Sequence, residues 1–441
     1  MPRETIILEN LSRKKPLFCL LSFVLGLLGF IIVAQSFSDE NIWRKDFLED
    51  YLTARAILLK VDPYQPTSTL AVIQGYSLPH GTFLHPNPHS PVLVALSIPF
   101  GWFSYRVAAC MNLALEICCL VFSVTFIAKW LGLELTPLTT SAVVCICFGW
   151  GAVWEDLALG QTNLTILALL VVGLRGLTTE REIIGGIAIG SAISLKIVFW
   201  PLLVLLVLYR KAKMFTTVFA TIAALNSAAI VVLGFQTIEN YYRYVSPAVA
   251  SYHRAYFRNM SFWSVGWKLF DGTGSPALAG ISVSPLFDVS WLAPFFSYGL
   301  VALLFCASIF LAVTVKNSEA AFGIMISFSL LMSPLCWSHY LVVTAIPFAY
   351  AARRVFGENA TVKGRMALYI TSACLLVPGP TLTGLEQWFQ ENSTFDSPLF
   401  LLAVSLIPMY GVLACALLCY LYRGAGWKFP CNRKVSASPT P

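Results

Sequence analysis

Charge is what this chain has least of. Only 12% of its 441 residues are charged and 57% are hydrophobic, against about 25% charged and roughly 45–50% apolar in soluble domains. A soluble globular class is therefore excluded: no soluble core needs so much apolar surface. The net charge of +7 does not mark a nucleic-acid binder, because nearly all of it sits in short basic clusters at the ends of apolar segments, as the positive-inside rule requires. The 12 cysteines have no zinc spacing and no loop framework. They lie mostly inside apolar runs (Cys118-Cys119, Cys145, Cys147, Cys415, Cys419), where cysteine acts as a small packing residue. Also missing are an internal repeat, a low-complexity segment and a separate soluble domain. The first apolar segment lacks an A-x-A-like exit and reads as a retained helix rather than a cleaved leader.

What is there is a series of apolar stretches. They fall near 17–35, 107–128, 138–154, 160–174, 183–197, 199–209, 214–234, 297–315, 320–337, 340–352, 366–380 and 398–422. The fold class is all-α: a polytopic integral membrane protein of about twelve segments, forming a single domain over 1–441. Basic residues gather on one side, at Arg13-Lys14-Lys15, Lys129, Arg175 and Arg181, Arg210 to Lys213, Lys316, Arg353-Arg354, Lys363, Arg365 and Arg423. That side is cytoplasmic and carries both termini. The other side receives 36–106, the Glu155-Asp156 corner, 235–296 and 381–397. The two longest of these loops are too large to be plain connectors. The 183–209 pair is too short to span twice, and Pro201 interrupts it, so a broken or re-entrant hairpin buried in protein is expected. Gly186 and Gly190 give its first half a face for close packing.

The run Asp46–Tyr64 (DFLEDYLTARAILLKVDPY) opens the first external loop and places three carboxylates, a Tyr and an Arg near the membrane surface. Asp46, Asp50 and Thr53 share one helix face, Phe47, Tyr51, Ala54 and Leu58 form the apolar stripe beside it, and Asp62-Pro63 ends the helix. Either Asp46 or Asp50 can act as a general base on chemistry alone. The bland reading is an amphipathic helix with a solvated acidic face. In the Pro-rich run Pro79–Pro91, His80, His85 and His89 invite a metal reading, but no carboxylate accompanies them in sequence and prolines separate them; turn residues are the simpler account. The apolar run Val92–Phe103 is expected to lie along the interface.

Lys196 sits inside an apolar segment, where a charge is costly and marks either a site or a side chain snorkelling to the surface. Glu116 is the other intramembrane charge and reads as a structural pairing. Trp337 and His339 stand at a break between two segments on the same side as Asp46. Gly160–Asn163 (GQTN) and Arg258–Trp263 (RNMSFW) put Gln161, Arg258 and Asn259 at external helix ends; Arg suits phosphate, and Asn and Gln suit sugar hydroxyls.

Taken in order, DFLEDYLTARAILLKVDPY, HPNPHSP, GQTN, SLKIVFWPLLVLLVLYRK, NMSFW and SPLCWSHYLV resemble the pattern of glycosyltransferase family 87 over about residues 40–355. That family belongs to the type C membrane glycosyltransferases, which take sugars from polyprenyl phosphates. The resemblance implies an inverting transfer of a hexose, with mannose the expected sugar, to a lipid or glycan acceptor at the external face of a bacterial plasma membrane. It selects Asp46 as the base and sets Trp337 and His339 in the site. Lys196, Arg258 and His339 are expected to hold the leaving phosphate; Asn259, Gln161, Tyr51 and His85 complete the expected binding set. No cofactor and no metal is required, and no nucleic acid is expected. Asp50 and Ser338 depart from the pattern, which favours an aromatic and an acid there. The competing class is a lipid-linked sugar transporter or flippase, which calls for an inverted repeat and paired midplane charges.

Overall fold

The computed structural model describes residues 15–79, 83–133, 136–256, 258–272, 285–357, 361–376 and 398–424. Arg13, Lys14, His80 and the expected loop 381–397 lie outside the described residues. Within them the chain is helical and no strand occurs. Helices Lys15–Gln35, Tyr105–Trp130, Asn163–Thr178, Ala212–Leu233, Leu292–Thr314, Ser318–Met332 and Val362–Leu376 stand at the places the apolar runs dictate.

Among the described residues, three helices are long and apolar enough to cross a membrane: Tyr105–Trp130, Ala212–Leu233 and Leu292–Thr314. Length and composition thus qualify three spans of the roughly twelve expected. Ser318–Met332 shows why others are short. Its residues from Glu319 to Met332 are all buried, so this helix runs through protein rather than lipid. It packs against Leu292–Thr314, Ala345–Phe356 and Ile407–Leu421.

The 183–209 pair forms a broken hairpin, but it is not wholly buried in protein as expected: Ile184, Ile187, Ile197 and Val207 are exposed on its outer face. Cβ atoms added at Gly186 and Gly190 would meet Thr217 Cβ at 2.7 Å and Thr221 Cβ at 2.8 Å. Both glycines therefore let Glu182–Leu195 lie directly on Ala212–Leu233, and the rising order of the contacts makes the two helices parallel. The chain between them must return, which Ile197–Phe199 and Pro201–Leu208 accomplish. Lys211 at the end of the return pairs with Glu182 at the start of the hairpin, at 2.8 Å. Pro201 stands in the first turn of the returning helix, where its missing N–H costs nothing. The tip is Lys196, in extended backbone.

In the first loop, the helix Phe47–Leu58 ends earlier than expected. Lys60 turns to φ 58°, a left-handed conformation that stops the helix before Asp62, whose side chain accepts from the Tyr64 amide at 3.0 Å. The acidic face is not solvated: Glu49 and Asp50 are 3% and 2% exposed. The Pro-rich run, rather than water, covers that face. The run Val92–Phe103 divides into Pro91–Ser97 and a 3-10 turn Ile98–Trp102, with Val92, Leu93 and Val94 buried and Leu96 and Trp102 exposed.

Candidate active site

The helix Phe47–Leu58, the Pro-rich run, the hairpin tip and the 334–340 break enclose one cavity of about 690 Å³. Asp46, His85, Gln161, Lys196, Arg258, Trp337 and His339, all expected from the sequence, line it.

Asp46 stands immediately before the first turn of Phe47–Leu58. Its position is fixed from two sides. Lys45 donates to Ala158 O at 2.5 Å and to Ser36 Oγ at 2.6 Å, tying the chain to the end of the helix Gly151–Leu159. That helix closes on Gly160 at φ +73°, where an added Cβ would strike Phe47 Cβ at 2.7 Å; only glycine allows both the turn and the approach. The turn delivers Gln161, whose Nε2 donates to Asp46 Oδ2 at 2.8 Å. Burial raises the Asp46 pKa, while the Gln161 hydrogen bond and then His89 and His85 oppose the rise. One turn on, burial and the Asp46 and Asp50 charges hold Glu49 well above the usual carboxylate range. Glu49 accepts from Thr67 Oγ1 at 3.3 Å and has His85 Nδ1 at 3.5 Å.

On the same cavity, Lys196 donates to Asn163 Oδ1 at 2.7 Å and lies 3.8 Å from the centroid of the Tyr340 ring. Asn163 in turn donates to Asp156 at 2.6 Å. His339 is 4% exposed, and its Nε2 has no hydrogen-bond partner among the described residues. Trp337 meets His253 edge-on at 5.3 Å. Burial, then the nearby His85, holds the His253 imidazole down to about 3, hence neutral. Arg258 is exposed and lines the cavity from the 235–296 loop. Ser338 donates to Glu155, which also lines the cavity. Glu116 accepts from the Thr165 amide and hydroxyl at 3.0 and 2.5 Å, the structural pairing expected of it.

Two expected site residues stand elsewhere. Tyr51 is fully buried; its hydroxyl donates to Phe103 O at 3.0 Å and accepts from Arg55 at 3.2 Å, and its ring packs with Tyr76 and Tyr105. The apolar stripe carries it into the core behind Asp46. Asn259 is consumed by backbone: it donates to Pro334 O at 2.8 Å and accepts from the Cys336 and Ser261 amides at 3.0 and 3.2 Å. It ties the 258–264 loop to the Trp337 loop instead of facing a ligand. Conversely, Glu49, His89, Glu155, His253 and Tyr340 line the cavity without having been expected there. Every described histidine lies on this one cavity, and two have carboxylate partners, Glu49 for His85 and Asp50 for His89. These partners answer the objection from sequence that none accompanied them. No cluster of three side chains suited to a metal ion occurs among the described residues.

Fold and site together define a helical membrane protein in which carboxylates share one cavity with cationic and imidazole groups. The model of glycosyltransferase family 87 matches residues 88–334, more than half of the chain, and the protein belongs to that family. The match includes Gln161, Lys196 and Arg258 and stops short of Asp46, Trp337 and His339. The chain is also similar to two curated proteins of Mycobacterium tuberculosis, from strains CDC 1551 / Oshkosh and ATCC 25618 / H37Rv. Each is named alpha-(1->3)-arabinofuranosyltransferase and is 24% identical over 177 residues, 38% of this chain. The chain spans about two fifths (41%) of the length of these relatives. No solved structure matches it significantly.

Proposed function

We propose that this protein transfers a sugar from a polyprenyl-phosphate donor to a hydroxyl of a lipid or glycan acceptor, at the external face of a bacterial plasma membrane. The observation that carries the reading is that the half-buried Asp46 carboxylate shares one cavity with Lys196 and His339. Asp46 removes the proton of the acceptor hydroxyl, whose oxygen attacks the anomeric carbon. The bond from that carbon to the phosphate oxygen breaks, and the polyprenyl phosphate departs with the electron pair. Attack opposite the leaving group inverts the anomeric centre. Charge grows on the phosphate in the transition state, where Lys196, Arg258 and His339 are suited to receive it.

Mannose is the sugar the family resemblance favours. A second reading, arabinofuranose, is supported by the name of the mycobacterial relatives. The transporter alternative loses support because the two intramembrane charges do not pair: Glu116 is engaged by Thr165 and Lys196 by Asn163.

The purified protein, given polyprenyl-phosphate mannose or polyprenyl-phosphate arabinose with a bacterial membrane extract, is expected to form a new glycolipid or glycan with one of them, detected by mass spectrometry. Absence of product with both donors would refute the reading. The external site has its own test. Reporter fusions after Thr82 and after Lys213 are expected to report opposite sides of the membrane; the same side for both would break the orientation that sets Asp46 outside.

A further inference from the structure

The run Asn87–Ser90 is held far more firmly than a turn requires. Asn87 is fully buried and donates to Asp50 Oδ1 at 3.0 Å and Thr53 Oγ1 at 3.2 Å, while its own oxygen accepts the His89 amide at 2.9 Å. Tyr241 donates to Pro88 O at 2.8 Å, and Tyr64 to His89 O at 3.3 Å. The product of this framework is one side-chain geometry: His89 Nδ1 sits 2.7 Å from Asp50 Oδ1, with both residues buried. An ionised carboxylate can only accept, so the ring proton on that side is fixed at Nδ1. Nε2 remains as the ring nitrogen available to a ligand, and His89 lines the cavity.

What stands beside it is equally determined. Ser90 Oγ donates to Ser194 O at 2.8 Å and to Leu195 O at 3.2 Å. These are the last carbonyls before the hairpin tip, so the residue after His89 is stapled to the residue before Lys196. The cavity is thus lined by an imidazole and an ammonium carried on two segments that this staple joins. Asp50 stands behind the first, and the second makes no ion pair among the described residues. Two donors of this kind on one cavity suit an oxyanion with several oxygens.

We propose that Asp50 and His89 form a carboxylate–imidazole dyad in which His89, protonated on both nitrogens, donates from Nε2 to a phosphate oxygen of the polyprenyl-phosphate donor beside Lys196. His89 is then a phosphate-contacting residue and Asp50 its positioning residue. No covalent step is added: the hydrogen bond strengthens as the phosphate takes up the electron pair of the broken bond. The inference rests on the donor reading given under the proposed function.

The test uses the full-length protein in detergent micelles and compares the affinity for a polyprenyl monophosphate with that for the corresponding polyprenyl alcohol, in the parent, Asp50→Asn and His89→Gln. Asn at position 50 keeps an acceptor for Nδ1 and removes the charge; Gln at 89 keeps an N–H and removes the imidazolium. Each is expected to weaken the monophosphate about tenfold, the size of one charge-assisted hydrogen bond, with alcohol affinity at the parent value. Equal losses for both lipids would show a merely structural role, and unchanged monophosphate affinity would remove the dyad from the site. A parent protein that does not prefer the monophosphate to the alcohol would overturn the donor reading itself, a result distinct from either.

Discussion

Asp46→Asn is expected to lower turnover by about a hundred- to ten-thousand-fold, the usual worth of general-base assistance, with donor affinity near the parent value. The substitution isolates the charge. Asparagine keeps the size of the side chain and an oxygen to accept from Gln161 Nε2, now at 2.8 Å from the carboxylate, so the seat between Lys45 and Gln161 survives. Burial raises the Asp46 pKa above its ordinary 3.8, which makes the carboxylate a better proton acceptor than an exposed aspartate. It also fixes the sign of the pH dependence: a base must be deprotonated, so turnover falls as pH falls through the raised pKa. The acid limb of the rate profile should lie above the range of an exposed aspartate and vanish in Asp46→Asn. Glu49 is the rival on the same cavity. Burial and two neighbouring carboxylates hold its proton more tightly, so less of it is ionised at a given pH and Glu49→Gln should cost less. A single-turnover rate near that of the parent in Asp46→Asn would sink the mechanism; a dead Glu49→Gln beside an active Asp46→Asn would move the base by one helical turn.

The parts of the site that could be read from the sequence share a local signal: a polar residue at a break in an apolar run. Asp46, Gln161, Lys196, Trp337 and His339 all have it, and all line the cavity. His89 lacked it, because its meaning lies in Asp50, 39 positions away, and in a staple from Ser90 to a hairpin more than a hundred residues later. Glu49 was hidden for a different reason. Helical periodicity says which residues share a face but not what covers that face, and a carboxylate facing water has the same spacing as one facing a protein-lined cavity. Tyr51 and Asn259 are the converse. Both are chemically fit to hold a sugar, and both are spent on the architecture, Tyr51 in an aromatic cluster and Asn259 across three backbone groups. Among the helices, the apolar runs marked the elements well. The stop at Leu58 escaped because it depends on Lys60 adopting a left-handed conformation, which no residue type there announces. The return of the hairpin was legible, since two segments of insufficient length joined by a Lys and a Pro leave few alternatives.

Lys196→Met carries the second large expectation: donor affinity lower by about ten- to a hundredfold, the worth of a hydrogen bond to a charged group, in a protein that still folds and inserts. The alternative for a lysine in an apolar segment is to snorkel to water, and the geometry speaks against it. Lys196 is 8% exposed, its Nζ is turned onto Asn163 Oδ1 at 2.7 Å and the Tyr340 ring at 3.8 Å, and it lines the cavity. Its neutral partners can orient an ammonium but cannot balance its charge. Asp156 is one residue removed, through Asn163. A buried cation without a contacting anion is costly, and the phosphate of the donor would relieve that cost on binding. Methionine matches the length and fills the volume without the charge, leaving Asn163 to lose one hydrogen bond. The loss should therefore appear as a higher donor KM, with acceptor KM close to the parent value. Donor affinity unchanged in Lys196→Met would show that the ammonium serves the hairpin tip alone, and the leaving phosphate would then have to be held by Arg258 and the histidines.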